Sequence, residues 1–332
     1  MIYLSRARAA WCRVREENMH MSNVNFSRRG FMAAGGGLLA AGCLGTDAQK
    51  SAQCCSRGRF ALNPATIRGY KLELKDQVKW AIAAGYDGIE PWLADVQKAK
   101  DRGELGDIRK MCADGNLKIV DGIGFAHWSL PDDAARAKGM EEMKRDMALM
   151  AELDCPYIAA PPFGLQKPGS PHVPISDFIP RYRAVLELGD KMGVTPVLEF
   201  WGHSVNLSRL NEALFVASAS GHPKAAVLAD VYHMYRGGSE YEGLRFLSPS
   251  TLPILHMNDF PAQPAREKMT DADRVWPGDG CADWKQIFGI LRAGNLNPWL
   301  SLELFNPSYW KTPPLETLKT GLAKMKQVAN SI

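Results

Sequence analysis

Four short apolar runs in the second half of the chain each end in a side chain that can bind a metal ion. Thr195-Pro-Val-Leu-Glu199 ends in Glu199, Ala225-Ala-Val-Leu-Ala-Asp230 in Asp230, Leu252-Pro-Ile-Leu-His256 in His256, and Pro298-Trp-Leu-Ser-Leu-Glu303 in Glu303. A buried strand has no use for a charge at its exit unless something there binds it, because an unpaired desolvated carboxylate is costly. Three carboxylates brought together would repel one another and take up protons unless a cation balanced them. Three oxygens and one imidazole nitrogen, with positions left for water or substrate, suit Mn²⁺, Co²⁺ or Mg²⁺, and Zn²⁺ is also compatible. A strand-end Glu taken singly is more often a helix cap or an ion-pair partner, but four in succession form a pattern.

The elements that would position these residues alternate. Strands are predicted at 59–63, 88–91, 117–123 and 157–160, then at the four runs above. Helix-spaced apolar residues predict helices over 74–84, 108–114, 133–153, 178–192, 207–218, 241–247, 284–291 and 315–328. Met140, Met143, Met147 and Met150 repeat at steps of three and four, which reads as a core stripe with Leu153 on the same face. The Pro- and Gly-rich segment 161–174 is longer than most strand-to-helix connections and suggests a lid over a site. Eight strands alternating with eight helices in about 270 residues is the arithmetic of an α/β (β/α)8 TIM barrel, with its site at the C-terminal ends of the strands. In that fold strands five to eight end on one arc of the rim, so Glu199, Asp230, His256 and Glu303 become neighbours despite separations of 31, 26 and 47 residues. An open doubly wound sheet would want a Gly-rich phosphate turn after the first strand, and Asn63-Pro-Ala-Thr66 is not one.

Of 332 residues, 46% are apolar, enough for one full core. The net charge of +4 comes entirely from residues 1–45, where six arginines face Glu16 and Glu17; the remaining 34 basic and 34 acidic residues balance. Nothing therefore marks a nucleic-acid footprint. Residues 1–45 read as a leader: Ser27-Arg-Arg-Gly-Phe-Met32 is a twin-arginine pattern followed by a weakly apolar Gly/Ala stretch too short to span a bilayer. This predicts export to the periplasm. A start at Met19 or Met21 would leave a signal of ordinary length, and Ala40-Ala-Gly-Cys43 could be a lipobox, making Cys43 a lipid anchor and the one membrane contact expected. Residues 46–58 are a linker and 59–332 a single domain. None of the seven cysteines forms a metal-binding pair, and Cys112 and Cys155 read as small buried residues. Homo-oligomerisation stays open.

The set resembles the xylose isomerase-like TIM barrel superfamily, in particular its sugar phosphate isomerase/epimerase branch, over roughly residues 59–330. The resemblance rests on Gly85-Tyr-Asp-Gly-Ile-Glu90, Leu198-Glu199, Asp230-Val-Tyr-His233 with Arg236-Gly-Gly238, His256-Met-Asn-Asp259, Pro277-Gly-Asp-Gly280 with Asp283-Trp284, and Leu302-Glu303. It implies that Glu199, Asp230, His256 and Glu303 are metal ligands and that Glu199 and Glu303 also transfer protons. It implies in turn a metal-dependent isomerase or epimerase of a small carbohydrate, working through an enediolate. Loss of a β-hydroxyl would instead give a dehydratase or lyase acting on an inosose or 3-keto-glycoside. The resemblance assigns substrate contact to His233. Glu90, Trp201, Trp128 and Asp259 are further substrate-binding candidates, with His127 and His203 behind them. Sugar epimerases of the family often carry an arginine six residues after the histidine ligand, where this chain has Ala262; Arg266 is the candidate replacement. An abasic-site endonuclease shares the barrel but would want more histidines and a basic groove. A non-catalytic periplasmic sugar-binding barrel is the reading from another class. Export, and the lack of a phosphate-cradling Gly motif after the seventh or eighth strand, favour a non-phosphorylated substrate.

Overall fold

The computed structural model describes residues 59–331; the expected leader, Cys43 anchor and linker lie outside them. Eight strands form, all paired in parallel: β1 (Arg59–Leu62), β2 (Gly88–Ile89), β3 (Lys118–Ile119), β4 (Tyr157–Ala160), β5 (Thr195–Glu199), β6 (Val227–Asp230), β7 (Ile254–Met257) and β8 (Trp299–Leu302). Their order runs β3-β2-β1-β8-β7-β6-β5-β4. A parallel bridge between Gly122 and Ile158 joins the two ends, so the sheet closes on itself and leaves no edge.

Nine α-helices are described around it: α1 (Leu74–Ala84), α2 (Leu93–Asp101), α3 (Leu105–Asp114), α4 (Asp133–Glu152), α5 (Ile175–Met192), α6 (Leu210–Ala219), α7 (Val231–Gly237), α8 (Trp284–Ala293) and α9 (Pro314–Asn330). The apolar stripe of α1 buries Leu74, Val78 and Ala81, and Gly85 stops it at φ 89°, a conformation that favours glycine. On α4, Met143, Met147 and Met150 are buried and Met140 packs against them, so the methionine stripe is core. Two helices, not one, connect β2 to β3. The extra one, α2, is largely polar and buries only Leu93, Val96 and Ala99, too weak a stripe to read from periodicity. The segment expected as a helix at 241–247 is a 3-10 turn over Tyr241–Phe246, preceded by the unexpected α7.

The apolar residues divide into two layers. A large shell lies between barrel and helices, and a small interior cluster holds Ile123, Ala159, Val197, Ala226, Leu228 and Ile254. That interior plug fills the barrel below its rim, so polar side chains at the strand ends stand on an apolar floor. The long loop after β4 is tied down by Asn206, whose amide donates to the Leu165 and Pro171 carbonyls and accepts from the Val173 N–H. Among the described residues no helix is long and apolar enough to cross a membrane.

Candidate metal centre

Successive strand residues point alternately into the barrel and toward the helices, and this alternation decides which strand-end residues meet. Val197 is interior, so Glu199 is too; Leu228 brings Asp230 inward, and Ile254 brings His256. Glu303 follows β8 with the parity of Ser301. In the ladder Asp230 sits opposite His256, and His256 opposite Ser301, which leaves Glu303 diagonal to His256. One ligand atom from each of Asp230, His256 and Glu303 lies within 4.8 Å of the others. Glu199 is outside that cluster. It pairs with Leu228 and stands two strands from His256, about 10 Å across the sheet, facing the same cavity.

The three clustered groups are held from behind. Asp230 caps α7: its Oδ1 accepts the His233 N–H at 2.6 Å, and its Oδ2 accepts the Asn258 amide at 2.8 Å. His256 donates from Nε2 to Glu90 Oε2 at 3.1 Å, which fixes the ring and turns Nδ1 toward Asp230 Oδ2 and Glu303 Oε2, at 3.5 and 3.2 Å. Nδ1 makes no hydrogen bond at those angles and is buried. A buried nitrogen without a partner, facing two carboxylate oxygens and backed by a carboxylate on the other ring nitrogen, is the donor set a divalent ion wants. The residues present therefore fit such an ion.

Glu90 is placed differently from its expected role as a substrate contact. It is fully buried under the centre, where Oε2 also accepts from Ser301 Oγ at 2.5 Å and from the Asn63 amide at 3.3 Å. Asn63 bridges to Glu303 Oε1 at 3.1 Å and accepts the Trp92 indole N–H. Asp121, at the same depth after β3, has both oxygens buried without partners; burial and the nearby Glu90 push its pKa well above the usual range.

The arginine of the site is Arg274, which the sequence reading did not single out. It is 1% exposed, and its Nη1 donates to Asp230 Oδ2 at 3.1 Å and Glu303 Oε2 at 2.8 Å. Its Nη2 reaches Asp271 Oδ1 at 2.6 Å and His233 Nε2 at 3.1 Å. Arg266, the expected replacement, is half exposed beside Glu267. The 26-residue connection from β7 to α8 brings Arg274 in because Asp259 and Val275 pair as an antiparallel bridge. Asp259 is then not a substrate contact. Its carboxylate accepts from the backbone of Phe260, Gly278 and Ala282 and from the Trp284 indole, which uses both oxygens and ties down the Pro277-Gly-Asp-Gly280 turn.

A cavity of ≈ 190 Å³ opens over the cluster. One wall is polar: Glu199, His203, His233, Asp271, Arg274 and Glu303. The other is apolar and aromatic: Trp92, Ile123, Phe125, Trp201 and Phe305. Phe125 meets Trp92 edge-on at 5.4 Å and contacts Phe163 of the tied-down loop at 5.2 Å. Trp128 is absent from this wall. It is 0% exposed, packs on Phe178 and Tyr182, and donates its indole N–H to the Pro161 carbonyl, so it is core and not a stacking surface. His127 pairs with Glu142 away from the cavity.

Burial pushes the Glu199 carboxyl up to about 8; the His256 cation opposes this and the Glu303 charge adds to it. Glu303 differs. Although burial favours its neutral form, His256 and Arg274 hold it below the usual carboxylate range. Burial lowers His233 to about 4, which keeps the ring neutral and able to accept from Arg274. His256 is raised well above its usual value: burial opposes this, but the Glu303 and Glu90 charges outweigh it. In the ion-free protein the imidazolium thus supplies positive charge that a bound cation would replace.

The model of the xylose isomerase-like TIM barrel family matches residues 78–328. An inosose isomerase of Halalkalibacterium halodurans is 27% identical over 266 residues, covering 79% of this chain and 93% of that protein. A 3-dehydroshikimate dehydratase of Pseudomonas aeruginosa is 23% identical over 260 residues, 76% of this chain but 39% of that longer protein. The crystal structure of the IolI protein with a bound zinc atom superposes with a TM-score of 0.75 at 21% identity, covering 82% of this chain and 98% of that one. The chain belongs to the xylose isomerase-like TIM barrel family.

Proposed function

We propose that this protein is a divalent-metal-dependent enzyme that moves a proton on the carbon beside the carbonyl of a small neutral polyhydroxy ketone, a sugar or cyclitol, giving isomerisation or epimerisation. The observation that carries the reading is the split between two carboxyls across one small cavity. Glu199 favours its protonated form up to about pH 8, while Glu303 is held ionised. A pair of titratable groups pushed apart in this way is what acid–base chemistry on two sides of one carbon requires. A divalent ion held by Asp230, His256 and Glu303 would stabilise negative charge developing on the carbonyl oxygen. Glu199 stands opposite, outside the three-residue cluster, to take or return the proton. Trp92, Phe125 and Trp201 cover the apolar face of a ring and exclude water.

Charge supports a neutral substrate. Among the described residues the one cationic side chain lining the cavity, Arg274, already serves three carboxylates, and no lysine lines it. A phosphate or a substrate carboxylate would find no uncommitted cationic side chain among the lining residues. The twin-arginine pattern agrees, since phosphorylated sugars are scarce outside the cytoplasm. Similarity to a 3-dehydroshikimate dehydratase keeps one alternative in view: protonated Glu199 could equally release a β-hydroxyl as water, which makes an inosose or 3-keto-glycoside dehydratase the second reading.

The test is incubation of metal-loaded protein in D₂O with inososes, free ketoses and 3-keto-glycosides beside carboxylated and phosphorylated analogues. Deuterium entering a neutral substrate with retention of its hydroxyls supports isomerisation or epimerisation, and loss of water supports the dehydratase. No exchange and no turnover with any neutral substrate would refute the reading.

A further inference from the structure

Two ligand clusters lie side by side at the mouth of the barrel. The first is Asp230, His256 and Glu303; the second is His203, His233 and Asp271, whose ligand atoms also fall within 4.8 Å of one another. Two such groups sharing one cavity would ordinarily suggest a pair of metal ions. One guanidinium spans both: Nη1 of Arg274 holds Asp230 and Glu303 of the first cluster, and Nη2 holds Asp271 and His233 of the second. We propose that Arg274 is a built-in second cation, which fills the His203–His233–Asp271 cluster and restricts the centre to a single metal ion. The inference rests on the reading that Asp230, His256 and Glu303 hold that ion.

Three observations support this. First, Arg274 only donates and does not lose its proton, so its bond to His233 Nε2 uses the lone pair that a second metal would need. Asp271 Oδ1 also accepts from Nη2, at 2.6 Å, which seats the guanidinium within that cluster. Second, the guanidinium is fixed. It is 1% exposed, lies over Tyr232 at 4.5 Å and Phe305 at 5.1 Å, and comes from a segment strapped by the Asp259–Val275 bridge. Displacing it would forfeit four hydrogen bonds inside a buried site. Third, the charges of the three carboxylates that Arg274 touches close with one ion. The carboxylates of Asp230, Asp271 and Glu303 carry three negative charges, and Arg274 with one divalent cation supplies three positive. A second divalent ion would add two more positive charges within a few ångströms of a guanidinium that cannot discharge. Arg274 is therefore a positioning and charge-balancing residue, and the charge it carries cannot be chelated away.

The experiment is metal stoichiometry by equilibrium dialysis against Mn²⁺ with elemental analysis, on the whole chain with fold checked by circular dichroism. Wild-type protein saturates at one ion per chain. Arg274→Ala and Arg274→Gln open the second cluster and saturate at two, with an electron paramagnetic resonance spectrum broadened by coupling between neighbouring Mn²⁺ ions. Adding Asp271→Asn to Arg274→Ala returns the count to one, and Arg274→Lys, which keeps a charge there, stays at one. Two ions in the wild type overturn this inference and leave the metal reading standing. Folded Arg274→Ala and Arg274→Gln that both hold only one ion also overturn it. No ion in the wild type overturns the metal reading itself, and this inference with it. Should neither neutral variant fold, the wild-type count decides: one ion upholds the inference and two contradict it.

Discussion

The arc formed by β5 to β8 and the long connection after β7 supply opposite halves of the same cavity by different physics. The arc is regular. Its residues reach the centre because the strand period is two, so an inward Val197, Leu228 or Ile254 dictates an inward Glu199, Asp230 or His256. The connection is irregular, and it reaches the centre because Asp259, a residue facing away from the cavity, gathers the backbone of Gly278 and Ala282 and the Trp284 indole. The arc contributes the groups proposed to bind the metal, with positions set by the sheet, while the loop contributes the cation Arg274 whose position is set by one buried carboxylate. The first kind of placement is robust to single changes, and the second hangs on a few hydrogen bonds.

Breaking the arc at its proton-transfer end has the largest expected effect. Glu199→Gln keeps size and burial but cannot exchange a proton, so kcat falls by about 10³-fold with KM changed little. Steady-state kinetics on the substrate identified by deuterium exchange checks this, and a variant within tenfold of wild type would remove Glu199 from the chemistry. The same substitution probes stability. The folded-state pKa of Glu199 lies above its unfolded value, so its contribution is complete below about pH 4.5 and is lost as pH rises toward 8. Metal-free wild type should therefore lose about 3 kcal/mol relative to Glu199→Gln between pH 5 and 8, measured by urea unfolding. Parallel stability profiles would contradict the raised pKa.

Breaking the loop should cost stability and detach its arginine. Asp259→Ala leaves four donors without their acceptor, two of them buried (the Phe260 N–H and the Trp284 indole), and should lower stability by about 2–3 kcal/mol. Metal binding by the arc should survive it, because Asp230, His256 and Glu303 do not depend on the turn. Equal loss of metal binding would mean that the two halves are not separable in this way. Glu90→Gln sharpens the arc side. It removes the carboxylate behind His256 and should weaken metal binding by about 10–100-fold, read by calorimetry, while the fold persists. Trp201→Ala, at the aromatic wall, should raise KM by about tenfold with kcat nearly kept.

What could be read from the sequence follows the same division. The closed barrel and the strand ends carrying Glu199, Asp230, His256 and Glu303 are legible because apolar runs and helix stripes repeat along the chain. The errors come where residue type was read without parity. Asp259 is three residues past the inward His256 and so faces away, whereas Asn258, two past it, faces in and holds Asp230. Trp128 is likewise out of step with the inward Ile123 and Phe125 and ends in the core. Glu90 and Asn63 have the right parity but sit too deep to meet a substrate, because only packing fixes depth. The helix α2 was hidden by its polar sequence. Arg274 and Asp271 were hidden for another reason: a 26-residue connection has no period, and the one local signal, an Asp-x-x-Arg preceding Pro277-Gly-Asp-Gly280, is informative only once the turn is known to fold back.

The central claim is that the arc holds one divalent ion between Asp230, His256 and Glu303, with Arg274 as the other cation. Anomalous diffraction from crystals grown with Mn²⁺ tests it most directly. The account predicts a single strong peak bounded by the Asp230, His256 and Glu303 side chains, with Arg274 still in place on Asp271. A peak seated between His203, His233 and Asp271, or no peak in the barrel mouth at saturating Mn²⁺, would contradict it.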